Sequence, residues 1–210
     1  MRCSILLIFS FLSVLFAQTQ LGGDIDGEAA TDQSGFSVSL NSDGDRVAIG
    51  APNNDGTING SNTGHVRIYE YSSGSWSQLG SDIDGEAWAD KSGYSVSLNS
   101  DGDRVAIGAY NNDKNYNADD DATSLAGHVR IYEYSSGSWS QLGGDIDGER
   151  IYDQSGWSVS LDSDGDRVAI GAPNNDGTAN AAGHVRIYEY SGGSWSQLGS
   201  DIDGEAEYDE

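Results

Sequence analysis

Arg46-Val47-Ala48-Ile49-Gly50-Ala51 and, after a polar gap, Gly64-His65-Val66-Arg67-Ile68-Tyr69-Glu70-Tyr71 return unchanged from Arg104 and Gly127, and again from Arg167 and Gly183. Outward from these phrases the repetition continues, with Gly35-Phe36-Ser37-Val38-Ser39-Leu40 before the first and Ser75-Trp76-Ser77-Gln78-Leu79-Gly80 after the second. Each run alternates: Val38 and Leu40 share one face, Ser37 and Ser39 the other, and Val47 with Ile49, or Val66 with Ile68, keep the same beat. A period of two is the mark of a strand and excludes a helix. Asn41-Ser42-Asp43-Gly44-Asp45 and Ser72-Ser73-Gly74-Ser75 put glycine where a tight hairpin needs positive φ. Each unit therefore reads as two hairpins in series, a four-stranded antiparallel meander.

A meander this small cannot bury enough by itself, and stacking on its neighbours covers the second side of each sheet. Tandem four-stranded units are the pattern of propeller blades, so the expected fold is all-β, a partial β-propeller of three full repeats and the start of a fourth. The linker phrase Asp24-Ile25-Asp26-Gly27-Glu28, recurring at Asp82, Asp145 and Asp201, sets the expected divisions. These are 18–80 with a preceding orphan strand, 81–143, 144–199, and a truncated unit 200–210. The last unit ends before its first strand, so the natural protein is expected to be longer.

Residues 1–17 read as a signal peptide: Arg2 is followed by an apolar stretch from Ile5 to Ala17, and polar Gln18 to Gln20 suit cleavage after Ala17. An exported chain, secreted or displayed at the cell surface, is expected, with no membrane insertion after the signal is removed. Cys3, the single cysteine, leaves with that segment, so neither a disulfide framework nor a thiolate site is available. Nine basic residues then face 34 acidic ones, a charge near −25 that repels nucleic acid and suits divalent cations or simple solubility.

Ser34-Gly35-Phe36-Ser37-Val38, a turn with Asp-Gly, and Ala48-Ile49-Gly50-Ala51-Pro52 resemble the FG-GAP repeat of integrin α-chain propellers and many exported proteins. The second unit offers Ser92-Gly93-Tyr94 and Gly108-Ala109-Tyr110, the third Ser155-Gly156-Trp157 and Gly171-Ala172-Pro173. Serine stands before the first glycine throughout and Tyr110 replaces one proline, which marks a divergent branch. The resemblance implies a propeller fold and, in many members, Ca²⁺ held in the first hairpin by a loop of alternating aspartates around a glycine. Here Asp43 and Asp45, Asp101 and Asp103, and Asp162, Asp164 and Asp166 are the candidate ligands, although Ser39 and Val47 occupy the first and last carboxylate positions of the first loop. A plain turn and a partial Ca²⁺ site both fit. The linker acids Asp24, Asp26, Glu28 and Asp32 form a second candidate cluster, with a solvated spacer as the alternative.

His65, His128 and His184 each open a third strand, and copies of one position argue for packing rather than for one unique catalytic constellation. No enzyme is expected. The units differ most between second and third strands, and such loops gather on one rim of a propeller. Tyr116, Asp119, Asp120 and Asp121 in the longest loop, with Trp88 and Tyr152 in the linkers, are the candidate ligand contacts, and Asn59 opens a glycosylation sequon. The expectation is a binding or adhesion module for an extracellular protein or glycan; a purely structural repeat array and a non-catalytic part of a larger exported enzyme are the alternatives.

Overall fold

A computed structural model describes residues 19–56, 61–113, 125–177 and 179–206, and among these the chain is all-β. The first sheet holds β1 (Ser37–Leu40), β2 (Arg46–Ala51), β3 (His65–Ser72), β4 (Ser75–Gln78) and β5 (Ile83–Asp84). The second holds β6 (Ser95–Leu98), β7 (Arg104–Ala109), β8 (His128–Ser135), β9 (Ser138–Gln141) and β10 (Ile146–Asp147). The third holds β11 (Ser158–Leu161), β12 (Arg167–Ala172), β13 (His184–Ser191), β14 (Ser194–Gln197) and β15 (Ile202–Asp203). All pairings within a sheet are antiparallel, and the first four strands of each sheet pair in sequence, as short hairpin connections require.

One feature departs from a solvated linker. The position beside β3 is shared by two short strands, β4 against Tyr69–Ser72 and β5 against His65 and Val66. Ile83 of the linker phrase is thereby buried, and so is Ile146 in the next copy. The linker closes its own sheet before crossing to the following one.

Alternation gives each sheet two apolar faces, and the core lies between sheets. Ala48, Val66, Ile68 and Ile83 of the first pack on Leu98, Val105 and Ile107 of the second. The equivalent junction joins Ala106, Val129, Ile131 and Ile146 to Leu161, Val168 and Ile170. Polar bonds fix the spacing. Ser37 Oγ donates to Gly93 O (2.7 Å), Ser95 Oγ to Gly156 O (2.8 Å), and Ser39 and Ser97 Oγ accept from the amides of Leu98 and Leu161 (2.9 Å each). These bonds line β1, β6 and β11 side by side as the innermost strands. On the outer side, Trp139 Nε1 donates to Leu79 O and Trp195 Nε1 to Leu142 O (2.7 Å each), tying each fourth strand to the end of the preceding one. The result is a partial β-propeller of stacked blades.

Candidate functional site

Because β2 runs antiparallel to β1, the loops that follow β2, β7 and β12 lie at the same end as the starts of β1, β6 and β11. The linker turns join them there: Ala89 N donates to Ser61 O, and Gln154 N to Leu125 O. At the centre of this face four rings meet. Tyr94 stands 4.8 Å from Phe36, 4.4 Å from Tyr110 and 4.8 Å from Trp157, and Tyr110 is 5.0 Å from Trp157. Phe36 and Trp157 are 48% and 39% exposed, an aromatic platform open to solvent. Loss of water and the neighbouring Tyr110 raise the Tyr94 phenol above its ordinary pKa. Trp88 and Tyr152 stand further out on the linker turns of the same face, both largely exposed, and Tyr152 has a left-handed backbone (φ 70°). Tyr116, Asp119, Asp120, Asp121 and Asn59 fall outside the described residues.

Between platform and outer strands lies an acidic cavity of about 230 Å³, walled by Glu28, Asp32, Asp55, Asp82 and Asp84 with His65 among them. Acids of one linker thus meet acids of the next across a whole blade. Asp32 is buried and its Oδ2 accepts from Asn54 Nδ2 (2.9 Å); Asp153 does the same for Asn175 (2.9 Å). In the middle copy, burial pushes Asp90 up to about 6 against the pull of the Ala87 amide and Asn112.

The His65 imidazole lines this cavity from β3, and His128 and His184 hold the same positions on β8 and β13, each with a glutamate from the preceding linker and an aspartate from the following one. The three groups are Glu28-His65-Asp82, Glu86-His128-Asp145 and Glu149-His184-Asp201, with the donor atoms of each group within 4.8 Å of one another. His65 Nδ1 is 3.9 Å from Glu28 Oε2 and 3.8 Å from Asp82 Oδ2, and His184 Nδ1 is 3.7 Å from Asp201 Oδ2. Burial, then the Arg130 charge, lower the His128 pKa to about 4, against the opposing pull of Asp145, and burial, then the Arg186 charge, lower His184. Arg67, Arg130 and Arg186, two residues on, lie over Tyr69, Tyr132 and Tyr188 and donate to the carbonyls of Asp26, Asp84 and Asp147.

The hairpin aspartates gather at the opposite end of the inner strands, where Asn41, Asn99 and Asp162 line a shallow depression of about 250 Å³. Asp43, Asp101 and Asp164 are exposed at the turn tips. Asp45 and Asp103 accept from the amides of Asn41 and Asn99 (2.7 and 2.8 Å), and their carbonyls, like that of Asp166, extend the ladder by accepting from Tyr71, Tyr134 and Tyr190. In the third turn Asp162 replaces the asparagine, and partial loss of water together with that neighbouring carboxylate raises the Asp166 pKa.

Sequence reasoning missed both the platform and the His-centred groups. The first had a signal, since the residue after the Ser-Gly that opens each first strand is aromatic in every copy: Phe36, Tyr94 and Trp157. For the second, the linker acids stood as a candidate cluster through Glu28 and the histidine recurred in every copy, but nothing in the spacing joined the two.

No protein-family model matches the chain, and no curated protein matches it. Among solved structures it is similar to a 6-phosphogluconolactonase-like protein of Bacteroides uniformis, with a TM-score of 0.52 and 12% identity over 80% of this chain and 40% of that one. It is also similar to Sqt1 of Saccharomyces cerevisiae, with a TM-score of 0.50 and 14% identity over 85% and 37%. The chain thus spans about 40% or less of the length of these proteins. The first comparison corrects the expectation that this is no enzyme, for a fold shared with a lactonase-like protein accommodates catalysis. The reason is physical: copies of one blade meet in unequal surroundings, as Tyr110 against Pro52 and Pro173 shows, so repetition of a residue does not make its sites equivalent. By fold, the chain is similar to β-propeller proteins.

Proposed function

We propose that the chain is an exported binding and adhesion module of the FG-GAP branch, recognising a protein or glycan through the face that carries the loops and linker turns. The carrying observation is the four-ring platform of Phe36, Tyr94, Tyr110 and Trp157 at the centre of that face. Flat rings half open to water and bordered by hydrogen-bonding loops combine an apolar contact area with polar orientation, which is how binding surfaces obtain affinity and specificity together. A sugar ring, with one apolar face and a rim of hydroxyls, matches that arrangement. Export is supported by the apolar stretch after Arg2, and the FG-GAP branch by the Ser-Gly-aromatic and Gly-Ala-Pro phrases.

The test is an array of glycans and extracellular proteins probed with the wild-type chain and with Trp157→Ala and Trp88→Ala. Binding should fall about tenfold or more in Trp157→Ala, as for a buried aromatic anchor, and less in Trp88→Ala. Binding that survives Trp157→Ala at full strength removes the platform from the reading, and a blank array favours a structural spacer.

A further inference from the structure

Each His-centred group has the form of an oriented ligand set. In the first, Glu28 Oε1 lies 3.5 Å from the Arg67 guanidinium while Oε2 is the oxygen nearer His65; Asp82 Oδ1 accepts from Gln78 Nε2 (2.6 Å) while Oδ2 is turned to His65. The second and third copies repeat the arrangement, with Arg130 and Arg186 on Glu86 and Glu149 (3.0 and 3.5 Å) and Gln141 and Gln197 on Asp145 and Asp201 (2.7 and 2.6 Å). One oxygen of every carboxylate is thus held by a neighbour, and for Glu28, Asp82 and Asp201 the other faces the imidazole, the way outer partners orient metal ligands.

A separate observation points to an occupant. The His184 side chain is 1% exposed, and neither of its ring nitrogens has a hydrogen-bond partner. A buried polar atom left without a partner is costly, and 3.7 Å to Asp201 is too long for a hydrogen bond. A buried imidazole with unpartnered nitrogens, grouped with two carboxylates, lacks only a cation to satisfy all three.

We propose that the groups Glu28-His65-Asp82, Glu86-His128-Asp145 and Glu149-His184-Asp201 each bind a divalent transition-metal ion of the zinc class. One nitrogen and two carboxylate oxygens suit zinc, whereas calcium takes oxygen alone. Donors on a tetrahedral zinc ion with bonds of about 2.0 Å stand roughly 3.3 Å apart, so the histidine–carboxylate gaps of 3.7 to 3.9 Å close by about half an ångström, and the donors of each group, all within 4.8 Å, draw in by side-chain rotation. With three protein donors the fourth position stays open to water or to a ligand. Glu86 follows β5 of the first blade while His128 and Asp145 belong to the second, so the ion joins neighbouring blades. This inference is independent of what the aromatic platform binds.

The chain is stripped with chelator, dialysed against zinc alone, and its metal content and melting temperature are measured. Retention approaching three zinc ions per chain, with a raised melting temperature, is expected; each of Asp82→Asn, Asp145→Asn and Asp201→Asn should remove one. These aspartates are partly exposed, and a circular dichroism spectrum confirms that the variants fold. Cobalt in place of zinc should give the visible absorption of a low-symmetry nitrogen and oxygen site, and His184→Gln should weaken it by about a third. Retention of less than one zinc ion per chain, unchanged retention in the triple aspartate variant, or full displacement of zinc by excess calcium would each overturn the proposal.

Discussion

Val129 and Val185 are the same residue in the same register of the same phrase, yet the first is fully buried and the second is 37% exposed. Ile146 and Ile202 differ likewise, at 4% and 58%, and on the opposite kind of face Leu98 and Leu161 are buried where Leu40 is 59% exposed. Within the described chain, the faces that meet another blade are sealed, and on the two outermost faces Val38, Leu40, Val185 and Ile202 are open while Ile49 stays covered. Burial here is a property of junctions, not of repeats, which is what a quasi-one-dimensional stack predicts. Interface terms should then dominate stability, and one substitution should have different effects in different copies.

The largest contrast is expected from truncating the buried isoleucine. Ile131→Ala opens a cavity between the second and third blades and should cost about 2 to 5 kcal/mol, while Ile187→Ala, on the open face of the third, should cost clearly less. Denaturant unfolding of the two variants measures the difference directly. Equal losses would mean that each sheet carries its own core.

Glycine sharpens the comparison from the opposite side. A Cβ built on Gly108 falls 2.1 Å from the carbonyl oxygen of Gly156 in the next blade, a backbone atom that cannot step aside, whereas one on Gly171 meets mainly the movable Ser158 hydroxyl. Gly108→Ala forces the blades apart and should cost about 1 to 3 kcal/mol or more. Gly171→Ala should be milder in the same melt, and similar effects would show that the Gly108 contact relaxes freely.

These asymmetries also mark what the sequence could and could not reveal. Strands β1 to β4 and their copies were legible because alternation over four to eight residues leaves one answer, and glycine in the turns confirms it. Strand β5 was not, since two residues cannot display a period and Ile83 looks the same in a linker as in a ladder. The His-centred groups were hidden for a different reason: Glu28 and Asp82 come from successive copies of one phrase, and only closing the blade between them brings both to His65. The platform lay partly in view, as an aromatic after the Ser-Gly that leads into each first strand, but the convergence of those positions follows from how β1, β6 and β11 line up.

The smallest expected effect tests whether the junctions are purely apolar. Ser97 Oγ accepts the amide of Leu161 from the next blade at 2.9 Å, while Ser160, its copy on β11, is exposed. Removing the hydroxyl in Ser97→Ala leaves that amide without its partner in a partly buried place and should cost about 1 kcal/mol, the usual net worth of such a bond. Ser160→Ala should stay within about 0.5 kcal/mol of wild type, as surface changes generally do. A clear gap between the two assigns the serines of the innermost strands a part in setting blade spacing. If both are silent, apolar packing alone sets it, and the serines serve only to keep those strands from presenting a second apolar row.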